Sequence, residues 1–118
     1  MEYDKNNVFY KILTGQIASP KVFENDVALA FNDINPLCKV HVLVITKGLY
    51  VDFADFSENA PADEVKKFFA AVAEVAEKVG VAQTGYRLVS NLGRDADQEV
   101  KHFHMHILGG EKLPPVLS

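Results

Sequence analysis

Apolar residues recur along the chain at two different periods. From Val65, the positions Phe68, Phe69, Val72, Val75, Ala76 and Val79 follow at intervals of three and four, which is one face of an α-helix. Pro61 can open this helix, and Asp63 and Glu64 fall in its first turn, where the helix dipole favours anions. It is expected to run to about Lys78, with Gly80 as its stop. A shorter stripe of Val8, Phe9, Ile12 and Leu13 predicts a helix from Asp4 to Gly15. Elsewhere the pattern turns to strands. Lys21 to Glu24 and Val27 to Asn32, joined at Asn25-Asp26, read as a hairpin. Val40 to Thr46 is strongly β-branched and ends at Lys47-Gly48, and Tyr86 to Asn91 is a further strand. Asp33-Ile34-Asn35-Pro36 reads as a loop. Leu49 to Asn59, with two Asp-Phe pairs, reads as irregular chain with room for one short helical turn.

The sharpest pattern lies at His102-Phe103-His104-Met105-His106-Ile107-Leu108, followed by Gly109-Gly110. Histidine alternates with a large apolar residue at period two. On a strand this puts His102, His104 and His106 on one face and Phe103, Met105 and Ile107 on the other. A helix would not place positions i, i+2 and i+4 together. This fifth strand completes an α+β fold: an antiparallel five-stranded sheet with one long and one short helix, in one domain over residues 1–118.

Composition narrows the class without changing the fold. The length suits one domain with a real core. With 24% charged and 48% hydrophobic residues, the balance is that of an ordinary soluble globule. A net charge of −4 argues against broad nucleic-acid or anionic-membrane binding, though not against a small anion held by a few local groups. The single cysteine, Cys38, has no internal disulfide partner, and the opening Met1-Glu2-Tyr3-Asp4 does not resemble a signal peptide. No apolar run approaches membrane-spanning length. The expectation is a soluble, cytoplasmic protein.

Three of the four histidines sit in the alternating stretch, and that clustering calls for a chemical reason. A lone strand histidine is commonly a hydrogen-bonded spacer, but three in a row would be costly to bury without partners. A metal site is a second reading. Cα atoms two apart on a strand lie roughly 6.5–7 Å from each other, and those four apart roughly 13 Å. Zinc needs ligand nitrogens about 2.0–2.1 Å from one point. Two of the histidines could converge with a third ligand from elsewhere, such as His41, but three along one straight strand could not. The third reading is nucleophilic catalysis, since histidine titrates near pH 6.5 and is largely neutral at pH 7.

The stretch His-Phe-His-Met-His-Ile-Leu resembles the signature of the histidine-triad (HIT) superfamily of nucleotide hydrolases and transferases, and Gly109-Gly110 resembles its Hint branch. The likeness runs from Asn7-Val8-Phe9 to Pro114-Pro115. Its anchors are Phe31-Asn32-Asp33-Ile34, His41 leading Val42-Leu43-Val44-Ile45, the run Tyr86-Arg87-Leu88-Val89-Ser90-Asn91, and the block from Gly93 to Gly110. It implies a HIT-like fold and a purine nucleoside 5′-phosphoramidate or acyl-nucleotide hydrolase working through a nucleotidyl-histidine. In that reading His104 is the nucleophile, His102 and His106 flank it, and His41 is the fourth histidine. Asp33 receives ribose hydroxyls, Asn91 lies beside the phosphate, and Phe9, Ile12, Phe31, Ile34 and Leu43 form an apolar slot for a purine. No cofactor or obligatory metal is implied, and a homodimer is. Read alone, Asp33 fits turn chemistry equally well, and the slot residues fit a core. Competing functions are a dinucleoside polyphosphate hydrolase of the Fhit type and a nucleotide-binding regulatory module.

The chain departs from the pattern at the phosphate loop. Asp97, Gln98 and Glu99 stand where Hint relatives commonly have Gly-Gln-Ser. Backbone N–H groups there can still donate, but the serine hydroxyl is gone. Each carboxylate near a phosphate would cost on the order of 1 kcal/mol at 4 Å in bulk water. Leu113-Pro114-Pro115 replaces the Trp-Pro-Pro of some relatives, and a histidine common near Leu49 is missing.

Overall fold

The structure is a computed structural model that describes residues 2–116. In chain order it holds α1 (Val8–Leu13), β1 (Lys21–Glu24), β2 (Ala28–Asn32), β3 (Val40–Thr46), α2 (Phe53–Asn59), α3 (Ala62–Lys78), β4 (Tyr86–Val89), a 3-10 turn (Arg94–Ala96) and β5 (His104–Gly109). The strands form one sheet in the order β1-β2-β3-β5-β4, every neighbour antiparallel. The expected α+β fold with its five-stranded sheet is therefore present. Because β5 inserts between β3 and β4, the histidine strand runs through the interior of the sheet, next to the strand that carries His41.

The two faces of the sheet are covered differently. On one, Ala28, Ala30, Val42, Val44, Met105 and Ile107 pack against Phe68, Ala71, Val72, Val75 and Ala76 of α3. Phe103 joins them, stacked on Phe56 of α2 with ring centroids 4.9 Å apart. On the other face Leu29, Phe31, Leu43 and Ile45 form a smaller cluster under Phe9 of α1. The period-two pattern thus assigns Phe103, Met105 and Ile107 correctly to the core. No helix of the described residues is long and apolar enough to cross a membrane.

β4 ends at Val89, short of the expected Asn91, and β2 starts at Ala28, not Val27; larger differences have local causes. α1 begins at Val8 and not near Asp4, because Asp and Asn side chains capture the backbone first. Asp4 Oδ1 accepts from the Asn6 N–H at 2.9 Å, and Asn7 Oδ1 accepts from the Tyr10 N–H at 2.8 Å and caps the helix. Within the stretch read as irregular, Phe53–Asn59 is a full short helix. Asp52 caps it through the Asp55 N–H, while the Asp55 carboxylate reaches back to the Val51 N–H. The fold therefore has two short helices beside the long one. Finally, β5 starts at His104, and His102 lies in the bend before it.

Gly15 and Gly80 act as the expected stops. Both have φ near +80°, where a side chain would be strained. At Gly80 the Val81 N–H reaches the Ala76 carbonyl and the Gly80 N–H reaches Glu77, closing α3 with paired reverse bonds.

Phe68 is fully buried, and its ring meets Phe56 and Phe103. Phe68→Ala is expected to lower unfolding free energy by about 3–5 kcal/mol, since the cavity would sit beneath a sheet that cannot collapse into it. Urea denaturation would measure this, and a loss below about 1 kcal/mol would show that α3 is not a principal cover of that face.

Candidate active site

Register carries the site. In the β3–β5 ladder Ile45 faces His104, Leu43 faces His106 and His41 faces Leu108. Directly paired residues share a face, so His41, Leu43 and Ile45 lie on the same side as His104 and His106. β2 adds Leu29 opposite Ile45 and Phe31 opposite Leu43, and the Asp33 N–H bonds to the His41 carbonyl at 3.0 Å. Asp33, His41 and His106 are in this way drawn together from three strands or strand ends.

A neutral imidazole carries one proton, and its place follows from groups that can only accept or only donate. His104 Nδ1 lies 2.6 Å from the His102 carbonyl oxygen, so Nδ1 holds the proton and Nε2 keeps its lone pair. His102 Nε2 lies 2.7 Å from the Thr46 carbonyl oxygen and donates to it, which makes His102 Nδ1 an acceptor. The donor to that Nδ1 is the Tyr3 hydroxyl, 2.5 Å away. His41 Nδ1 accepts from the Leu37 N–H at 3.1 Å, so its proton is on Nε2. That proton lies 2.9 Å (N to N) from His106 Nδ1 and 3.4 Å from Asp33 Oδ2. His106 consequently carries its own proton on Nε2.

All four imidazoles are held neutral. Burial pushes His102 down to about 4, opposed by its bond to the Thr46 carbonyl and helped by His104. Burial does the same to His106, also to about 4, with His104 and His41 adding to it and Asp33 opposing. His104 and His41 are lowered too, burial being the main cause in each and Asp33 pulling the other way. Tyr3 is raised above its ordinary value by burial and remains a hydroxyl donor.

Asp33, His41 and His106 are close enough to suggest a metal site, with one ligand atom from each within 4.8 Å of the others. The donor chemistry is wrong for it. A metal on His41 Nε2 would force the ring proton onto Nδ1, against the Leu37 N–H that already points there. His41 and His106 are instead joined by a hydrogen bond, with the Asp33 carboxylate alongside at 3.4 Å.

Phe9, Ile12, Phe31 and Leu43 come together in the smaller cluster. Phe9 is wedged edge-on between Phe31, at 5.7 Å, and His104, at 4.9 Å. Ile34 does not join them: it is 91% exposed. Beside this cluster a cleft of about 700 Å³ opens between Ile12, Leu13, Leu29, Lys21 and Lys47, away from the histidines. Asp33 performs the turn chemistry as well, since its Oδ1 accepts from the Asn35 N–H at 2.8 Å, which leaves Oδ2 toward His41. Asn91 is half-buried, two residues past β4; extending the β4–β5 register brings it level with His104.

The phosphate-loop residues fall into distinct roles. Gln98 is buried and its amide is spent on the fold: it donates to the carbonyls of Val51 and Val100 and accepts from the Gly93 N–H. It can shape the loop but has no free donor for a substrate. Asp97 is exposed in the left-handed region, with φ 59°, at the position where glycine is common in the branch it resembles. The Glu99 side chain is exposed, so its repulsion of an anion is screened. Tyr3 and Thr46 were not foreseen. Nothing in the sequence ties Tyr3 to a histidine 99 positions away.

A central sheet with a buried, neutral row of histidines beside a small apolar cluster defines the class: a histidine-triad hydrolase. The chain belongs to the HIT family, whose domain matches residues 14–113. It is 52% identical over 116 residues to a HIT-like protein of Azospirillum brasilense, covering 98% of this chain and 95% of that one. It is 38% identical over 115 residues to the purine nucleoside phosphoramidase of Escherichia coli K12, covering 97% and 95%. Among solved structures it resembles a HIT family hydrolase from Clostridium thermocellum, with TM-score 0.88, 36% identity and coverage of 98% and 99%.

The lowered histidines set a pH dependence of stability. Below pH 6.5 the unfolded chain binds protons at His102 and His106, while the folded protein resists until about 4. Unfolding is therefore favoured as pH falls, with a slope of at most about 1.4 kcal/mol per pH unit for each histidine. Denaturation between pH 7 and 5, above most carboxylate titration, should show this loss, and His102→Asn should flatten it. Stability independent of pH in that window would contradict the neutral assignment.

Proposed function

We propose that the chain hydrolyses purine nucleoside 5′-phosphoramidates or acyl nucleotides through a covalent nucleotidyl-histidine on His104. The observation that carries this reading is the bond from His104 Nδ1–H to the His102 carbonyl, which leaves the Nε2 lone pair available as a nucleophile at neutral pH. In the first step Nε2 bonds to the α-phosphorus and the P–N bond breaks, the amine leaving with a proton drawn from solvent. In the second, water brings an oxygen to phosphorus and releases a proton, the N–P bond breaks, and His104 returns neutral. His106, whose Nδ1 is occupied by His41, offers its Nε2–H to the phosphoryl oxygens or leaving atom. Asp33 Oδ2 suits a ribose hydroxyl, Asn91 suits the phosphate, and Phe9, Ile12, Phe31 and Leu43 supply a wall for the base. The similarity to the Escherichia coli purine nucleoside phosphoramidase supports the purine phosphoramidate as substrate class.

The reading extends to assembly and location. β4 is an edge strand with Tyr86 36% and Leu88 44% exposed, which suits a homodimer that joins two sheets, in a cytoplasmic protein.

The test compares turnover of an adenosine phosphoramidate with that of a diadenosine polyphosphate. The phosphoramidate should be preferred, and His104→Ala should lower its turnover by at least about 10³-fold. Nucleoside monophosphate binding should stay within about tenfold, because base and ribose contacts remain. Activity should survive exhaustive chelation, and its acid limb should lie below that of an ordinary imidazole because burial lowers His104. Near-normal turnover by His104→Ala would overturn the assignment of the nucleophile. Loss of activity together with stoichiometric zinc would overturn the metal-free mechanism.

A further inference from the structure

The N-terminal segment makes a contact that the proposed chemistry has not used. The Tyr3 hydroxyl meets His102 Nδ1 at 2.5 Å, and the two rings pack edge to face with centroids 5.5 Å apart. Asn7 Nδ2 donates to the Tyr3 oxygen at 2.9 Å and to the Asp4 carbonyl at 2.8 Å, while its Oδ1 caps α1. Because that oxygen already accepts from Asn7, the phenol proton is directed to His102. His102 is fully buried, so an Nδ1 without a donor would have no water to replace it.

We propose that Tyr3 is a positioning residue for the nucleophile, acting through His102. Its hydroxyl, oriented by Asn7, donates to the His102 Nδ1 that the Thr46 bond leaves as an acceptor, and so pins that ring at its second nitrogen. With the ring held at both nitrogens, the His102 backbone is fixed, and with it the carbonyl that receives the His104 Nδ1–H. The donors point one way along the chain: Asn7 to Tyr3, Tyr3 to His102, His102 to Thr46, and His104 to the His102 carbonyl. Without the hydroxyl the Thr46 carbonyl still keeps the proton on Nε2, but Nδ1 is left buried with no donor and the ring is held at one nitrogen only. Tyr3 reaches the nucleophile only through this chain, so its removal acts on the chemical step more than on substrate binding.

This inference rests on His104 as the nucleophile, and its test separates the two claims. Tyr3→Phe keeps the ring packing and removes only the hydroxyl. Imidazole 15N spectra of the ligand-free protein should show His102 protonated at Nε2 in both proteins, with Nδ1 at the position of a hydrogen-bonded acceptor in the wild type and shifted to that of an unbonded one in Tyr3→Phe. Turnover of an adenosine phosphoramidate should fall in kcat by roughly three- to tenfold, the scale of one lost hydrogen bond, with KM within about twofold. Asn7→Ser keeps a capping oxygen but removes the N–H on Tyr3, and should shift both readouts the same way by less. A wild-type His102 spectrum in Tyr3→Phe overturns the proposal, whatever happens to melting temperature. A shifted spectrum with unchanged kcat overturns the link to the nucleophile. If wild type fails to turn over the phosphoramidate, the functional reading falls, while the spectra still decide whether Tyr3 holds His102 Nδ1.

Discussion

The site depends on where single protons sit. Two backbone carbonyls, those of Thr46 and His102, and one backbone N–H, that of Leu37, fix the tautomers of three imidazoles. Backbone groups keep one sense, so the directions are set as soon as the strands pair. Burial supports the arrangement by disfavouring charge on each ring. A protonated His104 would have no lone pair on Nε2, and a His104 protonated only at Nε2 would face the His102 carbonyl with two acceptors opposed. The same geometry that satisfies buried polar groups therefore also leaves the His104 Nε2 lone pair free, as the proposed nucleophile requires.

One strand serves two ends at once. Met105 and Ile107 of β5 close the core over α3, while His104 and His106 face α1 and Phe9. A one-residue slip in the β3–β5 register would bury the imidazoles under α3 and expose the apolar row. The hydrophobic core thus sets the catalytic geometry, and the Phe56–Phe103 stack lies directly behind the histidines.

The alternation at His102 to Leu108 was legible because period two has one structural meaning, and the long helix was legible for the same reason at period 3.6. Sequence reading erred where side chains bond to nearby backbone. Asp52 and Asp55 together build the cap of α2, but with only Phe56 buried on that helix there was no apolar stripe to announce it. Asp4 and Asn7 delayed the start of α1 in the same manner. His102 looked like the first member of the strand, yet the bend before β5 gives its ring separate partners in Tyr3 and Thr46. Gln98 looked like a substrate contact because its position in the loop is suggestive; only geometry shows its amide already spent. Long-range pairing of the Tyr3 kind leaves no periodic trace at all.

The charge around the histidines bears on what they can hold. The ion pairs of the described residues, Lys21 and Lys47 with Glu24, Lys67 with Asp26 and Arg94 with Asp95, involve none of the four rings. Among the described residues, the charged side chain paired to a site imidazole is the carboxylate of Asp33. The His106 Nε2–H and backbone N–H groups offer dipoles to an anion there, and Lys101, whose Nζ donates to the Gln98 carbonyl at 3.1 Å, is a cation of the adjoining loop. Dipoles in a water-poor site serve a singly charged phosphoryl group well, but they compensate a second charge less fully than an arginine or a metal would. A phosphoramidate diester-like substrate carries one negative charge at the reacting phosphorus, and the monophosphate product approaches two. In the proposed reaction a neutral histidine row would favour substrate over product, so the burial that keeps the His104 lone pair free would also aid product release.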